Sequence, residues 1–331
     1  MKAVAYSVKL FEKEFLAKAN KKKHDITLIS NPLSFDTANY SQGKEVAIVF
    51  TNDDLSAPVI ERLASYGIKY ILTRSLETDH IDLIAANKFS LQVEHIKSYS
   101  AQAIAEHAVA LAFALNRKLL QYELFKHHFE YRNDEFIGFN FSGKTVGIIG
   151  LGNIGKAVAS IYHGIGCKII GYDIKPQSGL SYIKQVSFNE LLNNSDIISL
   201  HIPLTTLSKN LINRETIHKM KEGVMLINAS RGAVLNLKDA LEALGSHKIG
   251  YLGLDIYEYK QFGSLSGETD YLSEPILNEL FLEPNVIITP NQAYLTKEAL
   301  QDIADQTISS LDLWQKNGSE NGLNNQILVT V

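Results

Sequence analysis

An α/β protein built from two doubly wound parallel sheets is the fold class this sequence predicts, and three observations predict it. Residues 1–98 alternate short β-branched runs with helix-patterned stretches, a second alternating series starts at Lys144, and one long apolar helical pattern, Ser100 to Asn116, lies between them. In the first series, Ala3 to Tyr6, Ile26 to Ile29, Val46 to Phe50, Tyr70 to Thr73 and Leu91 to Val93 read as strands. Ser100 is the expected N-cap of the long helix. In the second series, the six runs KTVGIIG, KIIGYD, DIISLHIP, GVMLINAS, GYLGLD and NVIITP read as strands of another sheet. The helical pattern from Lys297 to Lys316 is expected to return to the first domain and make it discontinuous. Ser264 to Glu268 and Asn317 to Asn325 read as polar loops.

The chain has 331 residues, and at roughly 150 per domain that length suggests two domains. Its formal net charge of −4, with both signs mixed along the chain, gives no footprint for nucleic acid or a membrane surface. The run Lys21 to Lys23 reads as a solvated turn. No apolar run approaches the roughly 18 residues of a membrane span, and MKAVAYS lacks a signal peptide's apolar stretch, so a cytoplasmic protein is expected. The single cysteine, Cys167, sits among apolar residues and reads as a buried structural thiol in a reducing compartment. No metal is expected: the histidines lack ligand spacing, and the adjacent His127 and His128 would point to different faces of a helix. His107, within AEHAV, reads as a packed or hydrogen-bonded helix residue.

The predicted strand Thr145 to Ile149 runs into Gly150-Leu151-Gly152-Asn153-Ile154-Gly155, with a helix expected from near Lys156. That is the context a dinucleotide fingerprint requires. Gly150 makes the tight turn, Gly152 lets the backbone approach a pyrophosphate, and Gly155 permits close packing of helix on strand. The next strand ends in Asp173, 23 residues after Gly150, where a carboxylate can accept from ribose hydroxyls and repel a 2′-phosphate. NAD is therefore the expected cofactor. His201-Ile202-Pro203 and Ala229-Ser230-Arg231 end further strands, at the sheet edge where a nicotinamide is held.

Taken in order, FTNDD (50–54), YSAQAIAEHA (99–108), KTVGIIGLGNIG (144–155), DIISLHIPLT (196–205), MLINASRGAVL (225–235), KIGYLGLDIYEY (248–259) and TPNQAYLTKEAL (289–300) resemble the D-lactate dehydrogenase branch of the D-2-hydroxyacid dehydrogenases. The resemblance covers nearly the whole chain. It implies a flavodoxin-like substrate domain from residues 1–98 with 296–331, a Rossmann NAD domain over 99–295, a cleft between them, and a homodimer built through the NAD domains. It also implies that Arg231 binds a substrate carboxylate and carbonyl, that Asp255 lies near the nicotinamide, and that Tyr99 and Tyr294 wall the substrate pocket.

Three departures accompany the resemblance. The family's catalytic histidine position holds Asn291, and the glutamate that should pair with it is Lys260. An amide can donate a hydrogen bond to an oxygen but cannot deliver a proton. Lys260 reads either as an acid near Arg231 or as an exposed loop lysine. In the first domain, the small and glycine residues that should follow a strand-end arginine are replaced by Leu76, Glu77 and Thr78 after Arg74-Ser75. Leu76 is bulky, and Glu77 puts a carboxylate where a carboxylate should bind. The expected function is hydride transfer between NAD(H) and a carbonyl or hydroxyl substrate other than simple lactate. The competing expectation is a catalytically silent NAD(H)-binding relative that senses redox state or serves as a scaffold.

Overall fold

The computed structural model describes residues 1–76, 78, 80–97, 100–121, 136–177, 181–256 and 275–320. The chain forms two compact units, one from Met1–Ser100 and the segment from Leu295 onward, the other from Ala101–Tyr294.

In the first unit, β1 (Lys2–Ala5), α1 (Glu12–Asn20), β2 (Asp25–Leu28), β3 (Val46–Val49), α2 (Ala57–Ser65), β4 (Tyr70–Thr73), α3 (Leu83–Lys88) and β5 (Gln92–His95) follow one another. The strands pair in parallel in the order β2-β1-β3-β4-β5. Direction of winding reverses between β1 and β3, the flavodoxin-like arrangement. Every residue of β3, Val-Ala-Ile-Val, is buried, as a strand covered by helices on both faces requires. Val4, Ala47, Val49 and Ile71 pack beneath Val59, Ile60 and Leu63 of α2. Their neighbours Ala3, Ala5, Val46, Ile48 and Leu72 face the other way, onto Leu16 of α1 and onto Ala304, Ile308, Leu311 and Trp314. Those last four belong to the final helix, Lys297–Glu320. The helix runs through Asn317 to Glu320, which the sequence reads as loop; no proline stops it there, so the pattern carries on for another turn.

The second unit begins with α4 (Ala101–Asn116) and continues through β6 (Thr145–Ile149), α5 (Asn153–Gly164), β7 (Lys168–Tyr172), β8 (Ile183–Gln185), α6 (Phe188–Asn194), β9 (Ile197–Leu200), α7 (Arg214–His218), β10 (Val224–Asn228), α8 (Leu237–Gly245), β11 (Ile249–Asp255), α9 (Pro275–Leu282) and β12 (Val286–Thr289). Its sheet has seven parallel strands, ordered β12-β11-β10-β9-β6-β7-β8. The apolar runs of the sequence predict six. The strand they omit, β8, is three residues long with only Ile183 buried, and an Ile-Lys-Gln edge strand carries almost no periodic signal.

Helix starts in this unit are set locally, since Ser187 and Asn236 accept from the backbone N–H groups of Glu190 and Asp239. Helix α4 lies directly on β11. A Cβ built on Gly253 would sit 3.2 Å from Leu115 Cδ1 and 3.3 Å from Leu111 Cβ, so glycine there lets helix and strand approach. Cys167 is buried, its thiol donates to Phe141 O at 3.2 Å, and burial pushes it up to about 11. It is a structural thiol. Among the described residues no helix is long and apolar enough to cross a membrane.

Candidate functional site

All seven strands of the second sheet are parallel, so their carboxyl ends gather on one edge, and the winding reverses there between β6 and β9. At that point β6 hands over to Gly150, whose φ of +94° belongs to the region that favours glycine. A Cβ at Gly150 would lie 2.3 Å from His201 O, just past the end of β9. Glycine at 155 answers a different demand: a Cβ there would lie 1.9 Å from Gly150 O. Gly152 is exposed, with nothing within 4 Å of where its Cβ would be. The turn is thus tight toward the protein and open toward solvent.

Helix α5 starts at Asn153, earlier than the Lys156 of the sequence reading, because Gly152 itself occupies the N-cap. The first helical bond runs from Lys156 N to Gly152 O (3.0 Å), leaving the N–H groups of Asn153, Ile154 and Gly155 ahead of it without intrahelical acceptors. Those donors, with the positive end of the helix dipole, suit a pyrophosphate. Past β7, Asp173 Oδ2 accepts from Leu151 N (2.8 Å) and Oδ1 from Lys175 N (3.0 Å). Each oxygen keeps a lone pair, so a carboxylate fixed beside the glycine turn can still accept from ribose hydroxyls. The cradle fits a dinucleotide.

Three strand ends continue the edge. After β9, His201 Nε2 lies 2.8 Å from Ser199 Oγ, and burial pushes its pKa down to about 3, so the ring is neutral. Its Nδ1 is buried without a hydrogen-bond partner among the described residues. Ile202 packs onto the hydrophobic core, and Pro203 O accepts from Ser208 Oγ (2.7 Å). After β10, Ala229, Ser230 and Arg231 are shaped by Asn228, a fully buried residue the sequence reading passes over. Its Oδ1 accepts from Ser230 N (3.0 Å) and Ser230 Oγ (2.7 Å), and its Nδ2 donates to Arg231 O (2.8 Å). One amide thereby fixes the turn that presents the half-buried Arg231, whose Nη1 donates to Ser230 O at 3.1 Å.

At the ends of β11 and β12 lie Asp255 and the loop that carries Asn291. Asp255, expected beside the nicotinamide, is 2% exposed and faces inward. Its Oδ1 accepts from Thr289 Oγ1 (2.6 Å) and Gln292 N (2.8 Å), and its Oδ2 from Ala293 N (2.9 Å). A buried carboxylate needs such donors, and here the donors belong to the loop that carries Asn291. Asp255 therefore positions that loop. Asn291 is half-buried at φ +48°, and its N–H donates to Thr289 O (3.0 Å). Left-handed backbone is a conformation that asparagine and histidine both tolerate. Tyr294 follows, half-buried.

Lys260, Glu77, Tyr99, His127 and His128 lie outside the described residues. In the first unit, Leu76 and Thr78 are half-buried past the end of β4, and Thr78 O accepts from Ile81 N (3.0 Å). The preceding Arg74 is 1% exposed. It pairs with Glu12, donates to Tyr6 O (2.7 Å) and lies over the Phe50 ring at 5.4 Å. Asp53, from the FTNDD run, is likewise an internal knot, accepting from Ser7 Oγ, Leu33 N and Phe50 N. Burial raises its pKa, against those donors.

A doubly wound parallel sheet with a glycine turn at its switch point, a strand-end carboxylate beyond it and an arginine on the same edge defines a dinucleotide-binding α/β protein. Comparison with known proteins gives it a family. Residues 109–293 match the D-isomer specific 2-hydroxyacid dehydrogenase, NAD binding domain. Over 322 residues, 94% of this chain and 92% of the other, it is 37% identical to 2-hydroxyacid dehydrogenase A of Aspergillus oryzae. The structure of the pyruvate reductase of Chlamydomonas reinhardtii aligns with a TM-score of 0.89, 38% identity and 98% of both chains. That of the D-lactate dehydrogenase of Aquifex aeolicus, complexed with NAD and lactic acid, aligns with a TM-score of 0.85, 31% identity, 96% of this chain and 97% of the other. The chain belongs to the D-isomer specific 2-hydroxyacid dehydrogenases, and its cofactor is NAD.

Proposed function

We propose that this chain exchanges hydride between NAD(H) and a carbonyl or hydroxyl compound other than simple lactate. The observation that carries the reading is Asn291, an amide in the left-handed loop position where the family resemblance calls for histidine. In this reading the N–H groups of Asn153, Ile154 and Gly155 hold the pyrophosphate and Asp173 the ribose, while Gly150, Gly152, His201, Ile202, Pro203, Ala229 and Ser230 shape the edge around the nucleotide. NAD(H) supplies the hydride. Arg231 anchors an anionic or carbonyl oxygen through a guanidinium that stays charged at any working pH. Asn291 donates a hydrogen bond to the reacting oxygen, and Lys260 is the candidate source of the proton. Leu76, Glu77, Thr78, Tyr99 and Tyr294 select the substituent, with Glu77 favouring a cationic or hydroxylated one. By the same resemblance we propose a homodimer through the NAD domains, working in the cytoplasm.

A second reading has its own motive, because the nucleotide cradle is complete while the histidine–glutamate pair is replaced. In it the chain binds NAD(H) without turnover and reports redox state. NADH oxidation across a panel of 2-oxo acids decides, comparing the protein with the double variant Lys260→Glu with Asn291→His. Pyruvate turnover that rises by the roughly 10²- to 10⁴-fold of a restored general acid supports the retuned site. Fast pyruvate reduction by the unaltered protein overturns it. Tight NADH binding with no turnover across oxo, imino and hydroxy compounds leaves the silent reading.

A further inference from the structure

Thr289 Oγ1 lies within reach of three groups: Asp255 Oδ1 at 2.6 Å, His107 Nε2 at 3.0 Å and Leu254 O at 3.3 Å. A hydroxyl has one proton. Asp255 and Leu254 O can only accept, and the short contact to a buried carboxylate is the stronger of the two. His107 must then bring its own proton, so Nε2 is a protonated ring nitrogen. The donors align in one direction, from His107 Nε2–H to Thr289 Oγ1 and from Thr289 Oγ1–H to Asp255 Oδ1, and each bond polarises the next.

That carboxylate also receives Gln292 N and Ala293 N, which bracket the far side of Asn291. We propose that His107 is a positioning residue for residue 291: by donating to Thr289 it sets the hydroxyl that orients Asp255, and Asp255 holds the left-handed turn. Three elements meet in this relay, with His107 on α4, Asp255 ending β11 and Thr289 ending β12. The eight residues after His107, Ala-Val-Ala-Leu-Ala-Phe-Ala-Leu, are all apolar, so packing of this half of the helix has no need of an imidazole. The inference deepens the functional reading of residue 291 and rests on it for that residue's purpose, while the relay itself is geometry.

The test is amide hydrogen exchange without substrate, comparing His107→Leu, Thr289→Val and His107→Gln. Loss of one link of the relay should speed exchange at Gln292 and Ala293 roughly tenfold in His107→Leu and Thr289→Val, with β6 and α5 unchanged. His107→Gln keeps an N–H near the Nε2 position and should restore protection to within about threefold. The imidazole nitrogen spectrum of the unaltered protein should place a proton on Nε2. Unchanged exchange at 292 and 293 in His107→Leu overturns the proposal, as does a glutamine variant no better than leucine or a ring protonated only on Nδ1. Acceleration spread evenly through the unit marks plain packing and overturns it too. None of these readouts needs turnover, so failure of the relay and failure of the dehydrogenase reading are seen separately.

Discussion

Two stretches of one sheet edge handle their polar groups in opposite ways. Beyond β6 and β7, the backbone donors of Asn153, Ile154 and Gly155 have no intrahelical acceptor, and each oxygen of Asp173 accepts only one bond from the protein. Beyond β11 and β12, the carboxylate of Asp255 is buried and accepts from Thr289 Oγ1 and from the backbone N–H groups of Gln292 and Ala293. The first stretch keeps its backbone donors for a ligand; the second uses its backbone donors on a carboxylate of the protein itself. A dinucleotide site needs unsatisfied groups at fixed places, whereas a buried carboxylate fixes the loop whose N–H groups donate to it.

The largest effect that would break this contrast is at Gly155. Gly155→Val places its Cβ on Gly150 O, so the glycine turn must open, and NADH affinity by fluorescence titration should fall by about 100-fold or more, the scale of a backbone strain of a few kcal/mol. Affinity within a few-fold of the original would mean that the turn is looser than its geometry. Acidification comes next. His201 has a folded pKa near 3, below the roughly 6.5 of an unfolded histidine, so between those values the unfolded chain binds the extra proton. Its contribution is whole above about pH 6.5 and falls by about 1.4 kcal/mol per pH unit on the way down. His24 is shifted the same way by burial, so the measurement is the difference in denaturation slope between the protein and His201→Gln. Equal slopes would place His201 in contact with water. Smallest is Asn291→His alone, which should alter unfolding free energy by less than about 0.5 kcal/mol, because both residues accept φ near +48° and the anchoring is to Asp255. A loss well beyond that would show the loop to depend on the amide.

How much of this was legible in the sequence follows the same division. The glycine turn is local: Gly150, Gly152, Gly155 and Asp173 fall within one strand–helix–strand unit, so their spacing alone places them together. Strand β8 escaped because three residues with a single buried isoleucine leave no period to read. The hydrogen bonds that hold Asp255 join it to residues 34 to 38 positions away, beyond the reach of a local pattern. His107 meets Thr289 across 182 positions, and no window on the chain contains both. Asn228 was invisible for a related reason: within a strand-like run its amide looks like any polar residue until the turn folds back on it.

The left-handed backbone at residue 291 also restricts what heredity can do there. Histidine codons lie a single base from those of asparagine and aspartate, two side chains that also tolerate this conformation. A lineage leaving histidine at this position can therefore reach either one without disturbing the loop, and a lineage at asparagine is the same single base from returning. Exchange among these three side chains leaves the backbone of the loop as it is.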